Sequence, residues 1–438
     1  MAIAVLAYVV AAAHGVVTID IARDLVWARA IAAGDAWPLI GPPIGSLSVL
    51  SAWWYYLAAA AVAVTHSLTG YFSLLATVAA LKFWLVYRVG RRWMDRPFAI
   101  ALVAAAAFPG VASYQMLGVG HPQMLEAAVW GAALCAQRLL PGNAPMQRRS
   151  DVLGALAVGI LAGLALHAHP TAALLAPWWG IWLWRLAPEQ RWRYTLASII
   201  GGLIVFLPRV LAVFVTTSAN AVGVVHAQAV AGLGGTLSGA WPIVVNLFWQ
   251  QAQYVADTLL SPWPTLRDMW RWMWLAMLIA TALGGVLAVA DRRLRPVLLA
   301  SAGTLAVVTI ATTLLRDHTP FYMAYVALPP LTVALATAWC GWRRVRGGMW
   351  ISAAVACFVL LGHGALAIGA VSTARTGWVS SRLPLHSNLQ STATATHVES
   401  LLSAPTRDAL ARAWWCADAS VPVSRLHGDL AMGLDFGL

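Results

Sequence analysis

Charge is what this 438-residue chain has least of: Asp, Glu, Lys and Arg together make up 10% of it, and lysine occurs once, as Lys82. So little polar surface could not keep a soluble domain dispersed. A mean hydropathy of +0.73 with 61% hydrophobic residues places the chain in the membrane class. Cysteine is scarce as well. Cys135, Cys340 and Cys357 fall inside apolar stretches, where a free thiol behaves as a small hydrophobe, and Cys416 stands alone in a polar tail. A disulfide framework is therefore excluded. No Walker-type Gly-rich loop or other nucleotide motif occurs. The net charge of +12 comes from arginines clustered between apolar spans. A nucleic-acid groove needs a continuous basic stripe, so nucleic acid is not an expected partner. There is no internal repeat, and the two halves differ in loop length, against an inverted-repeat transporter. The near absence of lysine reads as compositional bias, with no chemistry attached to Lys82.

What the chain does have is a series of apolar runs. About eleven are long enough to approach the ~30 Å of a bilayer core: 1–17, 70–88, 98–113, 122–140, 152–168, 170–185, 196–215, 270–290, 297–315, 321–341 and 349–370. The expected fold is an all-α polytopic membrane protein with about eleven transmembrane helices. The stretch 51–66 opens on Trp53-Trp54-Tyr55-Tyr56 and is expected to be a helix lying at the membrane interface. The first run has no basic leading region and passes straight into a charged motif, so it is expected to be a retained anchor. Arginines gather at alternate turns: Arg88 to Arg96, Arg138 to Arg149, Arg185 to Arg193, Arg292 to Arg295, and Arg343 to Arg346. With eleven spans these turns share one side, which the positive-inside rule makes cytoplasmic. The expected placement is the bacterial inner membrane, with the amino terminus cytoplasmic and the carboxy terminus periplasmic. Residues 1–370 then form the transmembrane domain, with outward loops at 18–69 and 216–268. Residues 371–438 form a small outward segment, too short for an independent core.

The chemistry concentrates on the outward side. Ile19-Asp20-Ile21-Ala22-Arg23-Asp24 places two carboxylates and a guanidinium where the first apolar run ends. Charged groups at a membrane boundary are costly and are functional suspects for that reason. In a helix starting at Asp20, Arg23 and Asp24 lie three and four positions on, sharing its face. His121 and Glu126 flank the start of a span in Gly120-His121-Pro122-Gln123-Met124-Leu125-Glu126. There a carboxylate among apolar neighbours needs a partner, which a substrate or a metal would supply. His167 and His169 are two apart and diverge on a helix, which favours a cavity-lining role over zinc. Arg316-Asp317-His318-Thr319-Pro320-Phe321-Tyr322 forms a second polar turn before a Pro-rich span.

These two patches resemble membrane glycosyltransferases of the GT-C fold, such as the lipid A aminoarabinose transferases and protein O-mannosyltransferases, which use polyprenyl-phosphate sugars. Asp20 is similar to the acid that opens the family's first outward loop, Arg23 to the basic residue after it, and Gly34-Asp35 with Pro38 to a later turn. Ile21 departs from the family's usual second acid, and Asp24 stands where an aromatic is common. The Arg316–Tyr322 turn followed by Pro329-Pro330 resembles the family's late outward Arg-x-x-Tyr turn. The resemblance implies a sugar transferase acting on an outer-face glycan or glycolipid. In it Asp20 and Asp24 are catalytic. Arg23, Arg316, His318 and Tyr322 contact the donor phosphate, and His121, Glu126 and His169 contact substrate. A divalent cation (Mg or Mn) on Asp20, Asp24 and Glu126 is an option, since hard cations take oxygen ligands.

The same residues carry plainer readings. Arg23 with either aspartate, or Arg316 with Asp317, makes a structural ion pair, and Asp35 suits a turn or cap. A lipid-carrier or solute transporter without covalent chemistry is the competing function. It is disfavoured because most charged candidates sit at span ends and not at the midplane.

Overall fold

A computed structural model of the protein describes residues 1–13, 19–35, 37–44, 48–65, 68–108, 119–140, 148–215, 247–314 and 320–375. Among these the architecture is helical. Fourteen helices run in order: α1 (Ala2–Ala13), α2 (Ile19–Ala33), α3 (Ala52–Thr65), α4 (Leu68–Trp93), α5 (Arg96–Ala107), α6 (Met124–Arg138), α7 (Arg148–Ala168), α8 (Ala176–Arg185), α9 (Pro188–Val215), α10 (Gln250–Tyr254), α11 (Pro264–Val289), α12 (Arg295–Leu314), α13 (Pro320–Gly341) and α14 (Gly348–Arg375). A short antiparallel ribbon, β1 (Ile40–Ile44) with β2 (Ser48–Ser51), lies between α2 and α3. Every expected span carries helix. Five of the described helices are long and apolar enough to cross a membrane unaided: α4, α7, α9, α11 and α14. The other expected spans hold shorter or proline-interrupted helices, among them α13 with Pro329 and Pro330. The outer surfaces of the long helices are greasy, as at Leu203 and Leu207 of α9, Ile279 and Val286 of α11 and Leu361 of α14. The protein is a multi-pass membrane protein.

Small residues set the closest helix contacts, as expected where lipid tails give no hydrophobic drive between helices. Gly159 lets α7 meet the Ser198 carbonyl of α9, and Gly201 of α9 lies against the Leu156 carbonyl of α7. A methyl group at either position would collide with backbone. Ser198 Oγ also donates to the Ala155 carbonyl at 2.9 Å. Gly284 and Gly341 perform the same service between α11 and α13.

The arginine-bearing turns gather at one end of the bundle. Asp95 caps α5, its side chain accepting from the Phe98 N–H at 3.0 Å, and its other oxygen takes Arg343 Nη1 at 2.6 Å. That pair joins the α4–α5 turn to the turn before α14. Arg344 donates to the Ala290 carbonyl, which brings in the α11–α12 turn. Gln137 Nε2 donates to the Val89 carbonyl at 3.3 Å, and Trp182 Nε1 to the Ala136 carbonyl at 3.0 Å, adding the ends of α4, α6 and α8. The turns that sequence reading assigned to one side are therefore neighbours in space.

Measured from that end at 1.5 Å per residue, α5 rises only about 18 Å and α6 about 22 Å, short of ~30 Å of hydrocarbon. The far end of α6 is recessed beneath α2 and α3, where His121 meets Asp24 and Trp54, while Phe108 at the end of α5 packs on Phe248 and Trp274.

Candidate functional site

The segment that follows α1 folds back on itself. α2 ends at Gly34, whose φ of +82° is a left-handed conformation that suits glycine, and the Asp35 N–H returns to the Ala30 carbonyl at 2.9 Å. Asp35 is thus an exposed turn residue. The ribbon then turns the chain, with Ile40 opposite Ser51, and α3 runs back along α2.

This return places Trp54 and Tyr55 over Asp24. Trp54 Nε1 donates to Asp24 Oδ2 at 2.7 Å and Tyr55 Oη to Oδ1 at 2.9 Å, and the aspartate is 1% exposed. Trp27, three positions after Asp24 on α2, packs on Tyr55 with ring centroids 5.7 Å apart. His121 Nδ1 stands 3.9 Å from Asp24 Oδ2, and its ring meets Trp54 edge-on at 6.3 Å. Asp24 therefore pins α2 to α3 and faces His121 from a third element. Asp20 lies one helical turn earlier on α2 and Arg23 one residue before Asp24. Their side chains are outside the described residues.

His121 belongs to a single 3-10 turn, His121–Gln123, that leads into α6. Pro122 lacks the N–H that such a start leaves unpaired. Gln123 Oε1 accepts from the Gly120 N–H at 2.9 Å, while its Nε2 donates to Tyr325 Oη at 3.0 Å. Both Gln123 and Tyr325 are buried. The bond ties the recessed end of α6 to α13. Tyr325 is one turn beyond Tyr322, whose side chain is not described, and Arg316 and His318 precede α13 outside the described residues.

Beneath this turn sits a pair that sequence reading did not foresee. Lys82, set aside there as an accident of composition, is 0% exposed and donates to Glu126 Oε2 at 2.6 Å. Its ammonium also lies 5.1 Å from the ring centroids of Tyr8 and Phe83. Glu126 thus has a protein cation as its partner. Other residues missed from sequence were Trp54, Tyr55, Gln123 and Tyr325. Only the Trp-Trp-Tyr-Tyr run gave a signal, and interfacial anchoring explained it equally well.

His169 caps the 3-10 helix Pro170–Leu175, its Nδ1 2.6 Å from Thr171 Oγ1. His167 packs on Phe206 at 4.2 Å, so the two rings take separate neighbours. Among the described residues no three His, Cys, Asp or Glu side chains converge to hold a metal ion. Both oxygens of Asp24 accept hydrogen bonds, and Glu126 Oε2 is engaged by Lys82. As they stand, these two carboxylates do not form a divalent-cation site.

No family model and no curated protein sequence matches the chain. Solved structures do. The crystal structure of ArnT from Cupriavidus metallidurans bound to undecaprenyl phosphate aligns with a TM-score of 0.57 at 12% identity, over 86% of this chain and 77% of that one. The same protein in the apo state aligns at 0.53 and 13% identity, over 85% and 76%. The chain has the GT-C fold.

Proposed function

We propose that this GT-C protein transfers a sugar from a polyprenyl-phosphate donor to an acceptor hydroxyl on a glycan or glycolipid at the outer face of the bacterial inner membrane. The observation that supports this best is the Gln123–Tyr325 bond, taken with the Asp24–His121 approach. Through them the helix bearing Asp20 and Arg23 and the helix that follows Arg316 and His318 meet at one recessed turn. The two patches lie about 300 positions apart in sequence.

In this reading the Asp20 carboxylate takes the acceptor's hydroxyl proton. The acceptor oxygen bonds to the sugar's anomeric carbon, and the bond from that carbon to the phosphate oxygen breaks. The electron pair leaves with the lipid phosphate, whose charge is met by Arg23, Arg316, His318 and Tyr322. Guanidinium forks suit phosphate oxygens, and such preorganised donors act where charge develops. His121 and His169 line the acceptor side. Asp24, held by two side chains, serves as the anchor that sets α2's height against His121. The arginine-rich end faces the cytoplasm.

The neighbour's complex with undecaprenyl phosphate supports a lipid-phosphate donor class. Asp20→Asn tests the assignment: reconstituted with a lipid-linked sugar, it should insert and fold normally and lose ~10²–10⁴-fold in turnover. Undiminished transfer by that variant, or lipid flux through wild-type liposomes with no new glycosidic product, would overturn the proposal. Addition of excess chelator separates a metal-assisted route from one carried by side chains alone.

A further inference from the structure

The Lys82–Glu126 pair is placed where ion pairs are hardest to keep. Lys82 lies about 16 Å along α4 from its Trp93 end, and Glu126 about 18 Å along α6 from Arg138. Counted from the arginine-rich end, each lies about halfway across a hydrocarbon layer of ~30 Å. Neither side chain is more than 2% exposed. Removing two charges from water costs several kcal/mol per ion, and well-packed apolar residues of similar volume often serve stability as well or better. Stability alone thus gives weak grounds for charge here.

Position gives better grounds. Glu126 lies in the first turn of α6, three residues after Gln123 and five after His121. That turn is already tied on two sides, to α2 and α3 through the Asp24 cluster and to α13 through Tyr325. Lys82 adds a third tie from below. Because the ammonium also rests on Tyr8, the tie includes α1 as well as α4. Apolar packing fills volume but tolerates sliding and rotation, whereas a 2.6 Å charge-assisted bond fixes both. A misplacement of 1 Å at a reacting centre is enough to cost about 10²-fold in rate.

We infer that Lys82 and Glu126 are positioning residues: their buried ion pair sets the height and rotation of the α6 amino-terminal turn that carries His121 and Gln123. The relevance of that turn to catalysis rests on the transfer reading above, but its positioning is measurable without any substrate. The test compares wild type with Lys82→Arg, Lys82→Met and the apolar double variant Lys82→Met/Glu126→Leu. Each is purified in nanodiscs and examined by melting temperature, amide hydrogen exchange across residues 119–130, and equilibrium binding of undecaprenyl phosphate.

The double variant is expected to melt within a few degrees of wild type yet exchange its His121–Glu126 amides at least tenfold faster. Lys82→Arg should keep exchange within about threefold of wild type. Wild-type protection in a double variant of wild-type melting temperature would show that the pair only fills space and would overturn the inference. Should the double variant fail to fold, the two single variants at Lys82 decide. Equal loss of protection in Lys82→Arg and Lys82→Met overturns it, and loss in Lys82→Met alone supports it. Wild-type protein that does not bind undecaprenyl phosphate would count against the transfer reading and leave the exchange result standing on its own.

Discussion

Asp24 and Glu126 are both 1% exposed, yet different kinds of donor meet them. Glu126 is matched by a full cation at 2.6 Å, so the pair carries no net charge into the bilayer. Asp24 accepts from an indole N–H and a phenol O–H, two neutral donors, with His121 at 3.9 Å. A neutralised pair exerts little net field on its surroundings. A carboxylate solvated by dipoles still draws positive charge toward its surroundings. The first arrangement suits a fixed joint, the second an electrostatic environment in which a proton or a cation is wanted.

The sharpest way to break this contrast is to unmake the pair. Lys82→Met leaves Glu126 buried beside an apolar side chain, and the expected cost is ~3–5 kcal/mol, read from denaturation in detergent. Combining it with Glu126→Leu should recover most of that loss, because no charge then remains to be stranded. A double variant as unstable as the single one would mean that the pair is not self-contained, and the comparison with Asp24 would fail.

The second test moves to the neutral side. Tyr55→Phe removes one donor from Asp24 with little change in shape, and a hydrogen bond to a charged acceptor is worth ~1.5–3 kcal/mol. The loss should be smaller than for Lys82→Met, since Trp54 Nε1 still serves the carboxylate. Loss of folding on this change would place Asp24 with Glu126 as a joint of the scaffold. Tyr325→Phe, which breaks a neutral bond with Gln123, should cost about 1 kcal/mol in the same assay.

How much of this was legible in the sequence follows from what each residue's signal depends on. The spans and the gathering of arginine turns were readable because hydropathy and charge are local properties. Asp24 was singled out because a charge at a span end stands out against apolar neighbours. Trp54 and Tyr55 were not, since aromatic runs occur at any membrane interface and only the α2–α3 return makes them donors. Lys82 was dismissed for being rare. Its meaning lies in Glu126, 44 positions away on another helix. Glu126's need for a partner was visible, but the partner's identity was not. Gln123 with Tyr325 is the extreme case, a separation of 202 positions that no local pattern encodes.

A third carboxylate bounds the comparison from the exposed side. Asp95 and Arg343 are each 44% exposed at the arginine-rich end. Partial burial alone would raise the Asp95 carboxyl, but the Phe98 N–H and the Arg343 guanidinium together hold it below its ordinary value. A lowered folded value means that the contribution is fully present above the unfolded carboxylate value near pH 4. It is lost as pH falls through the folded one. Solvent screens a pair this open, so the loss between pH 5 and 3 should be under ~1 kcal/mol. Arg343→Gln should flatten that acid limb in a melting series, while Lys82→Met leaves its shape unchanged. If instead Arg343→Gln costs as much as Lys82→Met at neutral pH, burial is not what separates the strong tie from the weak one. The weight would then fall on where each tie holds the helices: at the end of the bundle for Asp95, and under the His121–Gln123 turn for Glu126.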